Sequence, residues 1–136
     1  MEFFGYRNLV AYIKASEMRR RVYRLIRTFP KEEQFALCNQ MRRAAVSVTS
    51  NIAEGMTRYS SKDKVHFIEI AYGSLMEVMS QLEVAVEEQY ISSDEFHNME
   101  ILIADTARLL SGLQRSFLTQ DSQQASTQNL LPQTQN

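Results

Sequence analysis

The sequence predicts an all-α fold, an antiparallel up-down-up-down four-helix bundle, on three observations. Four long segments carry apolar residues at alternating spacings of three and four, the seam of a helix packed against other helices. The segments between them are short and hold helix-start signals. Only four glycines and two prolines occur in 136 residues, as expected of a helical chain with short connections. That length is one domain, expected over 1–118 and large enough to bury a core, followed by a disordered polar tail over 119–136.

The first helix is expected from about Asn8 to Thr28. Its seam is Ala11, Ala15, Met18, Val22, Leu25 and Phe29, widened by Tyr12, Tyr23 and Ile26. Arg20, Arg24, Arg27 and Lys31 make a basic line on another face, flanked by Arg19 and Arg21. Phe29-Pro30 ends the helix, because proline disfavours helical geometry in the residue before it. Pro30 followed by Lys-Glu-Glu suits the first turn of a second helix, expected to reach about Tyr59.

Along the second helix Cys38, Met41, Ala45, Val48, Ile52 and Gly55 form the seam. Beside it runs a small or polar line, Gln40, Ala44, Ser47, Asn51, Glu54 and Arg58, which suits close approach by another helix. Gly55 is either a tolerated weak point or a place of close backbone contact. Ser60 or Ser61 caps the third helix, Ser60-x-x-Asp63 resembling a capping box, and the seam is Ile68, Ala71, Leu75, Val78, Leu82 and Ala85. Tyr72, Met76, Met79 and Val86 each lie one residue further on, and so wide an apolar face suggests an extra contact. Ser92-x-x-Glu95 caps the fourth helix, whose seam is Phe96, Met99, Ile103, Thr106, Leu110, Leu113 and Phe117. From Thr119 the chain is rich in Gln, Ser, Thr and Asn, with too little apolar surface to offset chain entropy.

Composition excludes several classes. No run of about 18 apolar residues occurs, so no membrane span is expected, and the N-terminus lacks the pattern of a signal peptide. A cytoplasmic protein is expected. The lone Cys38 lies on a seam and has no activating partner in sequence reach, so it reads as a packing residue. The net charge of −1 hides an asymmetry: residues 1–64 hold 13 Lys/Arg against 6 Asp/Glu, residues 65–136 hold 2 Arg against 10 Asp/Glu. Such a division fits a nucleic-acid patch, or basic and acidic helices that face each other.

Several pieces match one family in order: LVAYIKA from Leu9, FPKEEQFAL from Phe29, QMRRAAVSVTSNIAEG from Gln40 and IAYGSLMEVMSQLEVA from Ile70. Together, over about Tyr6 to Phe117, they resemble the four-helix-bundle proteins encoded in intervening sequences of bacterial 23S ribosomal RNA genes. The resemblance implies a protomer that assembles into a ring, typically a homopentamer. It also implies kinship with the accessory variability proteins of diversity-generating retroelements, which bind nucleic acid and a reverse transcriptase. Thr49 stands where proline is common in the family, so any kink there should be weaker. The retroelement branch is basic throughout, whereas this chain is near neutral.

No catalytic constellation emerges, so no enzymatic activity, cofactor or metal is expected. Asp63-x-x-His66 and Asp94-x-x-His97 have the spacing of di-metal bundle ligands, but each pair starts its helix and the two belong near opposite ends of the bundle, about 30 Å apart. Two uses of the basic residues stay open. Arg19, Arg20, Arg24, Arg27, Lys31, Arg42 and Arg43 are candidates to line RNA or DNA phosphates, with Tyr23 stacking on a base. Alternatively they form a solvated face or pair with Glu69, Glu77, Glu83, Glu87 and Glu88 of the third helix. Ser47, Asn51, Glu54, Tyr72, Met76 and Met79 are candidates for a helix or oligomer interface.

Overall fold

The computed structural model describes residues 3–130, with side chains described for 3–120. Four α-helices make the fold: α1, Val10–Ile26; α2, Leu37–Met56; α3, Ser61–Glu87; and α4, Ser93–Leu130. Short 3-10 turns, Gly5–Asn8 and Lys31–Glu33, precede α1 and α2.

The predicted seams are the core. Met18, Val22, Ile52, Leu75, Leu82 and Leu110 have at most a trace of exposure, and every seam residue of the second and third helices is buried. Leu25, Phe96 and Leu113 are half-buried at its margin. Thr106, the polar member of the fourth seam, is buried with its hydroxyl donating to the Leu102 carbonyl at 2.8 Å.

Each helix packs closely on two neighbours, in the cyclic order α1, α2, α3, α4 and back to α1, and the backbones of α1 and α3 do not approach each other closely. Contacts step in opposite senses along α2 and α3. Ser47 meets Ser74 across α2 and α3, and further along the same pair Gly55 stands against Phe67. A Cβ added at Gly55 would stand 2.9 Å from the Phe67 Cβ, so glycine is there because α3 comes too close for a side chain.

Both predicted caps form. The Ser60 hydroxyl accepts from the Asp63 amide at 3.1 Å. At α4 the box is reciprocal: Ser92 Oγ accepts from the Glu95 amide and Glu95 Oε1 from the Ser92 amide. The α3 end is a Schellman turn, with the Tyr90 amide donating to Ala85 O and the Gln89 amide to Val86 O. Gln89 takes the left-handed position, φ 64°.

Three expected boundaries are corrected. Pro30 with Lys-Glu-Glu opens only the 3-10 turn, and α2 begins at Leu37. The Gln34 side chain holds the connection back by donating to the carbonyls of Ile26 and Phe29. The same helix ends at Met56 rather than near Tyr59, where Thr57 folds its hydroxyl onto the Glu54 carbonyl. Finally, α4 continues to Leu130, beyond the expected start of the tail at 119. No glycine or proline stands between Gly112 and Pro132, so nothing in that stretch breaks a helix. The last six residues of the expected tail lie outside the described residues.

Candidate nucleic-acid interface

The basic residues divide into two groups by what their side chains touch. Arg19 is half-buried on the α2 side of α1 and donates through Nη1 to Thr49 Oγ1 at 2.8 Å. The Thr49 hydroxyl donates in turn to the Val46 carbonyl one turn back, so a buried threonine ties α1 to α2. Arg42 is also engaged, donating through Nη2 to the Gln34 carbonyl at 3.0 Å. Both guanidinium groups position helices.

Arg20, Arg24, Arg27, Lys31 and Arg43 form the second group, all exposed. None makes an ion pair among the described residues. Every ion pair found there is local in the chain, at spacing three or four, such as Arg21 with Glu17 and Arg58 with Glu54. α1 and α3 are not close neighbours in the bundle, and no ion pair joins the α1 arginines to Glu69, Glu77, Glu83, Glu87 or Glu88 among the described residues.

Arg19, Arg20, Tyr23, Arg24 and Arg27 share one open depression of about 360 Å³, with the Tyr23 ring half-buried in its wall. Lys31, Arg42 and Arg43 do not line it. A second hollow, about 230 Å³, opens between α1 and α4 on the other flank of Arg24, and sequence reading missed it. Its residues come from segments some seventy positions apart, so no local signal in the chain marks it.

Within the chain, the interface candidates of α2 are largely used. Ser47 Oγ and Ser74 Oγ are 2.8 Å apart, and Asn51 Nδ2 donates to the Ser47 carbonyl and hydroxyl. Glu54 pairs with Arg58 at 2.9 Å, and Arg58 lies over the Phe67 ring. The small polar line therefore serves close α2–α3 packing. On α3, Met79 packs against the core, whereas Tyr72 and Met76 stay 37% and 39% exposed.

The Cys38 thiol is buried and donates to the Ile26 carbonyl, and burial raises its pKa. His66 and His97 are both exposed. Among the described residues no group of three or more His, Cys, Asp or Glu is placed to hold a metal ion, and no helix is long and apolar enough to cross a membrane.

Residues 7–112 match the family described as 23S rRNA-intervening sequence protein. The chain belongs to this family. The fold of the intervening-sequence proteins also appears in a crystal structure of a protein of unknown function from the S23 ribosomal protein family of Bacteroides thetaiotaomicron VPI-5482. The two superpose with a TM-score of 0.72 at 22% identity, over 78% of this chain and 96% of that one. At that identity the likeness concerns the fold alone. No curated protein matches the chain in sequence.

Proposed function

We propose that this intervening-sequence protein is a non-enzymatic, ring-forming adaptor that binds RNA or DNA through the basic face of α1. The supporting observation is the set Arg20, Arg24 and Arg27, which is exposed, without an acidic partner among the described residues, and grouped around Tyr23. Unpaired guanidinium groups in a row attract phosphates and release counterions on binding. A half-buried tyrosine among them adds a stacking surface that any base can use. Lys31 and Arg43 are exposed too, outside that depression. Assembly into a homopentamer would repeat this face around a ring, where many weak contacts act together on one strand. A reverse transcriptase is the protein partner that the resemblance suggests; the cytoplasm is the compartment that a chain without signal-peptide or membrane-span pattern suggests.

The diagonal placement of α1 and α3 favours one second reading. If the α1 arginines pair with Glu69, Glu77, Glu83 or Glu87, they do so between copies, and the protein is an interaction oligomer with no nucleic-acid role.

The triple variant Arg20→Gln, Arg24→Gln, Arg27→Gln separates the two, because glutamine keeps helix propensity while removing three charges. Under the first reading it folds and assembles as before, binds nucleic acid more weakly, and shows a log–log salt slope lower by about 0.7 to 0.9 per lost phosphate contact. Light scattering that finds the variant dissociated while the parent binds no RNA or DNA at low salt would establish the second reading instead.

A further inference from the structure

We propose that the hollow between α1 and α4 receives an unpaired nucleobase, so that the ligand of the basic face is a single strand crossing α1. This rests on the nucleic-acid reading above and names the class of its ligand.

The register of α1 carries the argument. Tyr23, Arg24 and Leu25 are consecutive, and at 3.6 residues per turn they fan across the outer half of the helix. Tyr23 lies in the depression with Arg19, Arg20 and Arg27, while Leu25 lines the hollow with Arg21, Glu95, Asn98 and Met99. Arg24 borders both. Two concavities thus flank one exposed guanidinium, separated by about one helix diameter, roughly 10 Å.

The hollow has the chemistry of a base site rather than a phosphate site. Leu25 and Met99 give it an apolar floor. Asn98 is exposed and its amide, a donor and an acceptor on one group, has no hydrogen-bond partner among the described residues. Glu95 Oε1 is occupied by the Ser92 amide, which leaves the second carboxylate oxygen as an acceptor. Arg21 is engaged with Glu17 at 3.7 Å, so Arg24 is the unpaired cation at the rim. A phosphate pushed into the hollow would meet the Glu95 carboxylate. A neutral plane with a polar edge would meet an apolar floor and hydrogen-bonding groups, while its phosphate stays on Arg24. The other flank offers Tyr23 for the stacking of a neighbouring base. A duplex keeps its bases paired and stacked, and has none to place on either side of a helix.

Fluorescence anisotropy on the full chain tests this with mixed-sequence single strands of RNA and of DNA, each beside its duplex. Single strands should bind more tightly than duplexes. Asn98→Ala, an exposed position where alanine favours the helix, should weaken single-strand binding about fivefold without changing the salt slope. Arg24→Gln should instead lower the slope by about 0.7. Equal affinity for RNA and DNA strands supports recognition through the base, and a preference for RNA adds a 2′-hydroxyl contact to it. If duplexes bind as well as single strands and Asn98→Ala is silent, the base site is overturned while the basic face stands. If no nucleic acid binds at low salt, both readings fall.

Discussion

Replacing Gly55 with alanine should destabilise the protein although alanine is the better helix former. Propensity alone favours the change by about 1 kcal/mol. Against it stands a new Cβ at 2.9 Å from the Phe67 Cβ, where carbon atoms prefer about 3.5–4.0 Å. The Phe67 Cβ is fixed to the α3 backbone, so no rotamer change relieves the contact and the two helices must part by several tenths of an ångström. The separation also strains the Ser47–Ser74 hydrogen bond and the Arg58–Phe67 stack on the same pair. Overpacking of this kind costs about 1–3 kcal/mol, which leaves a net loss of about 1 kcal/mol and a melting temperature lower by roughly 3–5 °C. Gly73 is the internal control: it is an exposed glycine inside α3 and an added Cβ meets nothing within 4 Å, so Gly73→Ala should gain about 0.5–1 kcal/mol. Urea unfolding of both variants at one protein concentration, followed by helical circular dichroism, reads the two signs. Gains of similar size at both positions would refute close approach at Gly55.

Two smaller effects follow from the helix ends and the thiol. Gln89→Gly should stabilise the chain by up to about 1 kcal/mol in the same unfolding assay, because only glycine takes a φ of 64° without a side-chain penalty. Burial raises the Cys38 pKa, so folding favours the protonated thiol. That contribution is complete below the unfolded thiol value of about 8.5 and declines as pH rises toward the folded value. A thiol reagent at pH 8 should accordingly label the native protein far more slowly than the urea-unfolded chain.

Local signals made most of the fold legible. Seams repeat within a few residues, and the caps at Ser60 and Ser92 are four-residue motifs whose hydrogen bonds form wherever the backbone turns into a helix. What escaped was decided across the bundle. Pro30-Lys-Glu-Glu has the local form of a helix start, yet the Gln34 side chain is drawn to carbonyls at the end of α1 and delays α2 to Leu37. The basic stripe was visible as a stripe, but its sorting depended on partners 30 and 8 residues away: Thr49 for Arg19 and Gln34 for Arg42. Of the polar line on α2, Ser47 meets Ser74 of α3 in the same chain, a pairing that no local pattern marks. The α1–α4 hollow had no sequence signature because neither helix contains it alone.

The diagonal separation of α1 from α3 has a colloidal consequence. Opposite charges that form no ion pair with each other across the described residues leave the molecule with a lateral electric dipole, although its net charge is only −1. Near the isoelectric point, about 6.1, repulsion between whole molecules vanishes while the attraction of one molecule's positive side for another's negative side persists. Ions at 0.15 M screen beyond about 8 Å and blunt that attraction. The protein should thus be least soluble in dilute buffer near pH 6 and should dissolve on addition of salt.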